Sequence, residues 1–223
     1  MMGKAVPTAS PDAVKRTAGL PDIVLASASP RRAAVLRMLG LTFSVVPADV
    51  EERREQGEPP RRYVERLSRA KVRRVMAVHA DALVIGGDTV VATDGCVLEK
   101  PRDGAEAVRM LSSLSGSEHE VFSGLTVAAH GRIASNVAAA RVIFRTLTRE
   151  VIEAYVATGE PLDKAGAYGV QGIGASLVER IEGDYYTVVG LSVAAFVDLI
   201  PAVGFEYLPG GLAAFALPEG RRP

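Results

Sequence analysis

Two arginines stand where a helix least favours them. In the segment LASASPRRAAVLRMLG (25–40), Ser29 suits an N-cap, Pro30 the first helical position and Gly40 the stop. Arg31 and Arg32 then fall in the first turn, where the helix macrodipole is already positive and Asp or Glu would be preferred. Free amides at the helix start, the hydroxyls of Ser27 and Ser29 and two guanidinium groups together suit a phosphate. The turn also follows the carboxyl end of a predicted strand, where open α/β sheets take ligands. The alternative is a pair of solvated arginines beside a common serine cap, and this stretch alone leaves the two readings level.

Other residues are similarly out of place. On a predicted helix over 61–79, Val64, Leu67, Val75 and Val78 recur at helical spacing, and Lys71 falls among them. Such a lysine must snorkel, pair with a carboxylate or point into a cleft. Gly86 and Gly87 end an apolar strand, so Asp88 emerges at its tip. It could hold a divalent cation or orient a water; capping a turn is the plainer alternative. If Asp94-Gly95 is a two-residue hairpin loop, Thr89 lies opposite Lys100. Strict alternation then puts Asp88 and Lys100 on opposite faces, unless a bulge intervenes or the pairing stops.

In GAYGVQGIGA (166–175) the glycines permit close approach to a ligand, and Gln171 offers both a donor and an acceptor. That suits a uracil or thymine edge, although a flexible surface loop accounts for the composition equally well. The segment is neither a P-loop nor a dinucleotide fingerprint. Glu51 and Glu52 follow a strand end and could support a metal, with solvation the default in so charged a run. His79, His119 and His130 have no ligand spacing and there is no cysteine cluster, so zinc is not expected.

The elements that must position these groups read as follows. DIVLAS (22–27) is a strand, 30–39 a helix, TFSVVPAD (42–49) a strand and 50–62 an exposed charged loop. Strand 81–88 follows the long helix, and Asp103 with Glu106 forms a capping box for a helix through Leu114. Two antiparallel strands meet near His130-Gly131, and TREVIEAYVATG is a helix stopped by Gly159. After the glycine-rich loop come two strands around Gly183-Asp184 and a final helix over 192–200. Alternating strands and helices followed by hairpins predict an α/β fold with a mixed β-sheet and flanking helices.

Composition sets limits. The 223 residues are 48% hydrophobic, enough for one substantial core, and 26 basic residues balance 26 acidic ones. Nothing in that balance calls for a nucleic-acid or membrane partner, so any anion site must come from local clustering. The single cysteine, Cys96, fits a reducing compartment, and no apolar run has signal-peptide or membrane-spanning length. The expectation is a soluble cytoplasmic protein. Residues 1–20 form a disordered N-terminal extension, 21–201 the domain that carries the candidate site and 202–223 a C-terminal tail, loose over PGGLAAFALPEGRRP (209–223).

The ordered set LASASPRR, VEER, AKVRR, GGDTVV, LEKPRD, LSG, RTLT, EPLDKAGAYGVQG and GDYYTVVGL resembles the Maf family of nucleoside triphosphate pyrophosphatases from about Ile23 to Ile200. The resemblance implies a two-lobed α/β fold around a central cleft, often dimeric. It also implies hydrolysis between the α and β phosphates with a divalent cation, Mg²⁺ or Mn²⁺. It assigns Asp88 as proton acceptor, and Ser27, Arg32, Glu52, Lys71 and Lys100 as phosphate-contacting or metal-supporting groups, with Asp88 and Glu52 beside the cation. Arg31, Thr89 and Gln171 match the branch acting on dTTP and UTP rather than 7-methyl-GTP. Two positions depart from the family pattern: Gly87 stands where Ala is usual and Ser192 where Pro is usual. The rival expectation, also attached to the family, is a nucleotide-binding regulator of division or septum formation without significant catalysis.

Overall fold

The computed structural model describes residues 20–93 and 95–215. The N-terminal extension, apart from Leu20, and Asp94 of the expected hairpin lie outside the described residues. Seven strands form one mixed sheet in the order β2-β1-β3-β5-β6-β7, with β4 also paired to β3. The first strands are β1 (Ile23–Leu25), β2 (Ser44–Val45) and β3 (Leu83–Thr93), and β1 runs parallel to both of the others. Antiparallel pairing then joins β3 to β4 (Cys96–Leu98) and to β5 (Glu118–Ala129), β5 to β6 (Arg132–Phe144), and β6 to β7 (Val178–Glu182).

Alternation along β3 assigns each face. Val84 and Val90 pack beneath α2 (Pro60–Met76), whose Val64, Leu67, Val72 and Val75 are buried. Leu83, Ile85 and Val91 face the main core, shared with α1 (Pro30–Met38), α3 (Gly104–Leu114) and α4 (Arg149–Ala157). Helix α2 sits unusually close to the sheet because two glycines lie under it. A Cβ on Gly86 would approach Val72 Cγ2 to 2.7 Å, and one on Gly124 would reach the Val64 carbonyl oxygen at 2.4 Å. Lys71 is buried within this packed face, whereas Val78 lies past the helix end and is 74% exposed. The apolar stripe therefore stops at Val75.

Helix caps follow the sequence. Ser29, Asp103 and Thr148 accept from the amides of Arg32, Glu106 and Val151. Three expectations change. The strand expected over 42–49 narrows to two paired residues, because only Ser44 and Val45 meet β1. The second strand expected after Gly183 is instead a helix, α5 (Tyr185–Val189). Asp184 accepts from Tyr186 N at 3.0 Å and from Thr187 Oγ1 at 2.9 Å, and Gly190 ends the helix at φ 117°, which overrides the strand preference of YYTVV. The third change concerns the tail. After α6 (Val193–Leu199), capped by Ser192, the chain forms a hairpin of β8 (Phe205–Leu208) and β9 (Gly211–Ala214). Val203, Phe205 and Leu212 are buried in the main core, and β9 falls within the segment expected to be loose, so 209–214 is structural. Residues 216–223 lie outside the described residues. Among the described residues no helix is long and apolar enough to cross a membrane.

Candidate active site

The site begins at a break in strand pairing. On one edge of β3, β1 pairs with residues 83–85 and β4 with residues 91–93; among the described residues nothing pairs with 86–90 from that side. Asp88 and Thr89 project from this notch toward opposite faces of the sheet. Because the β3–β4 register ends at Val91↔Leu98, Glu99 and Lys100 are free to turn toward the notch. This resolves the alternation problem by ending the pairing, with no bulge.

A cavity of about 500 Å³ opens here. Ser27, Arg31, Arg32 and Glu52 line it, together with Lys71, Asp88, Thr89, Lys100 and Gln171. These nine side chains and Ser29 therefore surround one space, whereas Glu51, the other carboxylate singled out from the sequence, is exposed and does not line it.

Lys71 is the pivot of the charged part. Its Nζ lies 2.6 Å from Asp88 Oδ1 and 2.6 Å from Glu52 Oε1. The lysine neither snorkels nor stands alone; it bridges two carboxylates of different exposure. The Asp88 side chain is 9% exposed and that of Glu52 48%. Burial pushes the Asp88 carboxyl above its ordinary range, against the pull of Lys71 and Arg32. Burial also raises Glu52, but there the hydrogen bond and charge of Lys71, then the charges of Lys100 and Arg32, win and hold it low. The pair is thus split into a better base and a firm anion, the arrangement that acid–base sites use. Glu52 is held in place by its own loop. Tyr63 donates its hydroxyl to the Glu52 carbonyl at 3.1 Å, and Arg66 clamps the buried Glu58 with two contacts of 2.7 Å. The charged run is anchored at Glu52 and at Glu58, not wholly solvated.

The arginines separate. Arg32 is buried and donates to Gly190 O, Ser27 Oγ and Thr89 Oγ1, each at 2.9 Å. The carbonyl end of α5 thus supplies part of the negative charge that the start of α1 withholds. Thr89 is committed as well, since its hydroxyl also meets Ser123 Oγ and Gly190 O at 3.3 Å. Arg31 stays at the rim, 3.4 Å from Asp163 Oδ2, while Lys164 Nζ holds the other Asp163 oxygen at 2.7 Å.

Several lining residues escaped the sequence reading. Tyr63, Asp163, Lys164 and Tyr168 all border the cavity, as does Gly190. A lysine opening a glycine-rich loop was a usable signal for Lys164. Tyr63 and Tyr168 look like ordinary core aromatics in sequence. The 166–175 segment is no flexible surface loop at its start: Gly166, Ala167 and Tyr168 are buried.

His119 lies behind the cavity, and burial holds its imidazole down to about 4 against an ordinary 6.5. Between those values the unfolded chain binds a proton that the folded chain refuses. The His119 contribution to stability is therefore full above about pH 6.5 and falls as the pH drops toward 4. The expected loss at pH 5 relative to pH 7.5 is about 2 kcal/mol. Denaturant midpoints at both pH values should show this acid sensitivity in the native chain and its reduction in His119→Gln.

The profile of the family described as Maf-like protein matches residues 22–203. The chain belongs to the Maf family. Its relatives include a dTTP/UTP pyrophosphatase of Vibrio cholerae, 54% identical over 170 residues that cover 76% of this Maf chain and 91% of the relative. Another dTTP/UTP pyrophosphatase, from Moorella thermoacetica, is 51% identical over 186 residues, covering 82% and 96%. One from Escherichia coli K12 is 46% identical over 179 residues, covering 80% and 91%. Gly87, unusual for a Maf protein, stands where a Cβ would come within 3.1 Å of Arg32 Nε and the Gly124 carbonyl. Ser192, the other departure, caps α6 through the Ala195 amide at 3.1 Å. Among the described residues no cluster of three or more His, Cys, Asp or Glu is placed to hold a metal ion by itself. Glu52 and Asp88 are the two carboxylates that meet on the Lys71 ammonium.

Proposed function

We propose that this chain is a nucleoside triphosphate pyrophosphatase that hydrolyses dTTP and UTP to the monophosphate and pyrophosphate. The observation that carries this is the Lys71 bridge between Asp88 and Glu52, set in the same cavity as the arginine-bearing start of α1. A pure nucleotide sensor has no need of a buried carboxylate with raised proton affinity beside its phosphate site. Asp88 orients the attacking water and accepts its proton. Arg31, Lys71, Lys100 and the N–H groups that Arg32 has left over stabilise charge on the phosphates as the bond to the leaving pyrophosphate breaks.

Glu52 and Asp88 offer the oxygen atoms that would hold a Mg²⁺ or Mn²⁺. When bound, that ion neutralises phosphate charge at the reacting centre. Gln171 reads the pyrimidine edge. Thr89 contributes by fixing Arg32, since its hydroxyl is already engaged.

The test is a panel of dTTP, UTP, CTP, ATP, GTP and 7-methyl-GTP with Mg²⁺, assayed for pyrophosphate release. Pyrophosphate from dTTP and UTP in preference to the others is expected. Nucleotide binding without turnover would favour the regulator, and preference for 7-methyl-GTP would overturn the branch assignment.

A further inference from the structure

We propose that Tyr168 forms the nucleobase wall of this cavity and that His119 is the positioning residue that fixes its ring. The proposal rests on the pyrophosphatase reading and deepens it at the apolar side of the cavity, where Val91, Val121, Val170 and Val189 join Tyr168.

Three observations converge on this ring. His119 Nε2 lies 2.7 Å from the Tyr168 hydroxyl, and both residues are buried. Phe144 meets both rings edge-on, with centroids 4.8 Å from Tyr168 and 5.0 Å from His119. The other imidazole nitrogen, Nδ1, has no partner among the described residues. A buried histidine with one polar link is expensive, because the stranded nitrogen has lost its water, a cost that an apolar pair of the same shape would avoid. What the polar pair supplies is direction, since a hydrogen bond along the phenol axis sets where the ring points.

The backbone ahead of the ring is wedged as well. Gly166 and Ala167 have φ of 69° and 58°, and a Cβ on Gly166 would lie 2.8 Å from Val91 Cγ2. A left-handed alanine persists only where its surroundings over-determine it, and Ala167 is fully buried. Tyr168 is thus held at its backbone, at its hydroxyl and by the Phe144 ring, and Gln171, three residues on, lines the same cavity. Tyr168 is 5% exposed, so only part of its ring borders the cavity. A ring bordering the cavity with a carboxamide on the same lining suits a base, one group packing against it and the other hydrogen-bonding its edge.

The experiment measures equilibrium affinity for two probes with Mg²⁺, uridine 5′-(α,β-methylene)triphosphate and inorganic tripolyphosphate, which has no base. Tyr168→Leu should raise Kd for the uridine analogue by about 5–100-fold and leave that for tripolyphosphate unchanged. Tyr168→Phe keeps the ring and cuts the His119 link, and should move the same Kd in the same direction by less. His119→Leu should match Tyr168→Phe, and His119→Gln, whose amide can still bond the hydroxyl, should restore affinity. Equal losses for both probes, or an unchanged analogue Kd in Tyr168→Leu, would overturn the proposal. Absence of UTP turnover in the native chain would count against the pyrophosphatase reading alone, because both affinities are read without catalysis.

Discussion

Replacing Asp88 by Asn should lower kcat for UTP by about 10²–10⁴-fold, the usual worth of a positioned general base. Asn keeps the size of the side chain and an oxygen that can still accept from Lys71, which also retains Glu52 at 2.6 Å. What it loses is the ability to take a proton. The effect on stability should run the other way. Burial raises the Asp88 carboxyl, so the folded chain holds its proton to a higher pH than the unfolded chain does. Stability therefore falls as the pH rises from the unfolded carboxylate range through the raised folded one, and at neutral pH the buried charge is a standing cost. Removing the charge should leave the melting temperature unchanged or higher. A pyrophosphate assay with a thermal melt checks both halves. Activity and stability falling together would make Asp88 a structural group instead of a base.

Gly124→Ala should be a strongly damaging small substitution outside the chemical groups. Gly124 pairs with Asp88 across β3 and β5, and its missing side chain lets α2 rest on the sheet. An added Cβ would lie 2.4 Å from the Val64 carbonyl oxygen and 2.6 Å from its carbon, both backbone atoms that no rotamer change can move. The helix must lift, and overpacking of this kind costs about 1–3 kcal/mol or more. Lys71 rides on the same helix, so its bridge to Asp88 would lengthen. A misplacement on the order of 1 Å can cost roughly 10²-fold in rate. Denaturation and steady-state kinetics should show both losses, with Gly211→Ala, where an added Cβ meets nothing within 4 Å, as a neutral control. A fully active Gly124→Ala chain would mean that the height of α2 is immaterial to the site.

The sequence was most informative where a residue contradicted its own surroundings. A lysine in an apolar stripe, arginines at a helix start and an acid after two glycines are local violations, visible without any knowledge of the fold. Each proved to border the same cavity. The caps at Ser29, Asp103 and Thr148 were legible for a related reason: the side chain and the amide it satisfies lie within three residues of one another. By contrast, YYTVV carries strand-forming residues, and local preference pointed to the wrong element.

What the chain alone determined was therefore its family pattern, its alternating elements and the candidate groups of the site. Tertiary structure decided how those groups are shared out. Arg32 is bound to Gly190, 158 residues away, and Thr89 is tied to the same carbonyl. The Tyr168 hydroxyl meets His119 of β5, 49 residues away, and the hairpin after Gly204 is fixed by burial of Phe205 and Leu212 in the main core. None of these has a local signature, because each depends on a partner brought close only when the sheet closes. A short-range pattern records what a residue prefers; the long-range contact decides which preference is met.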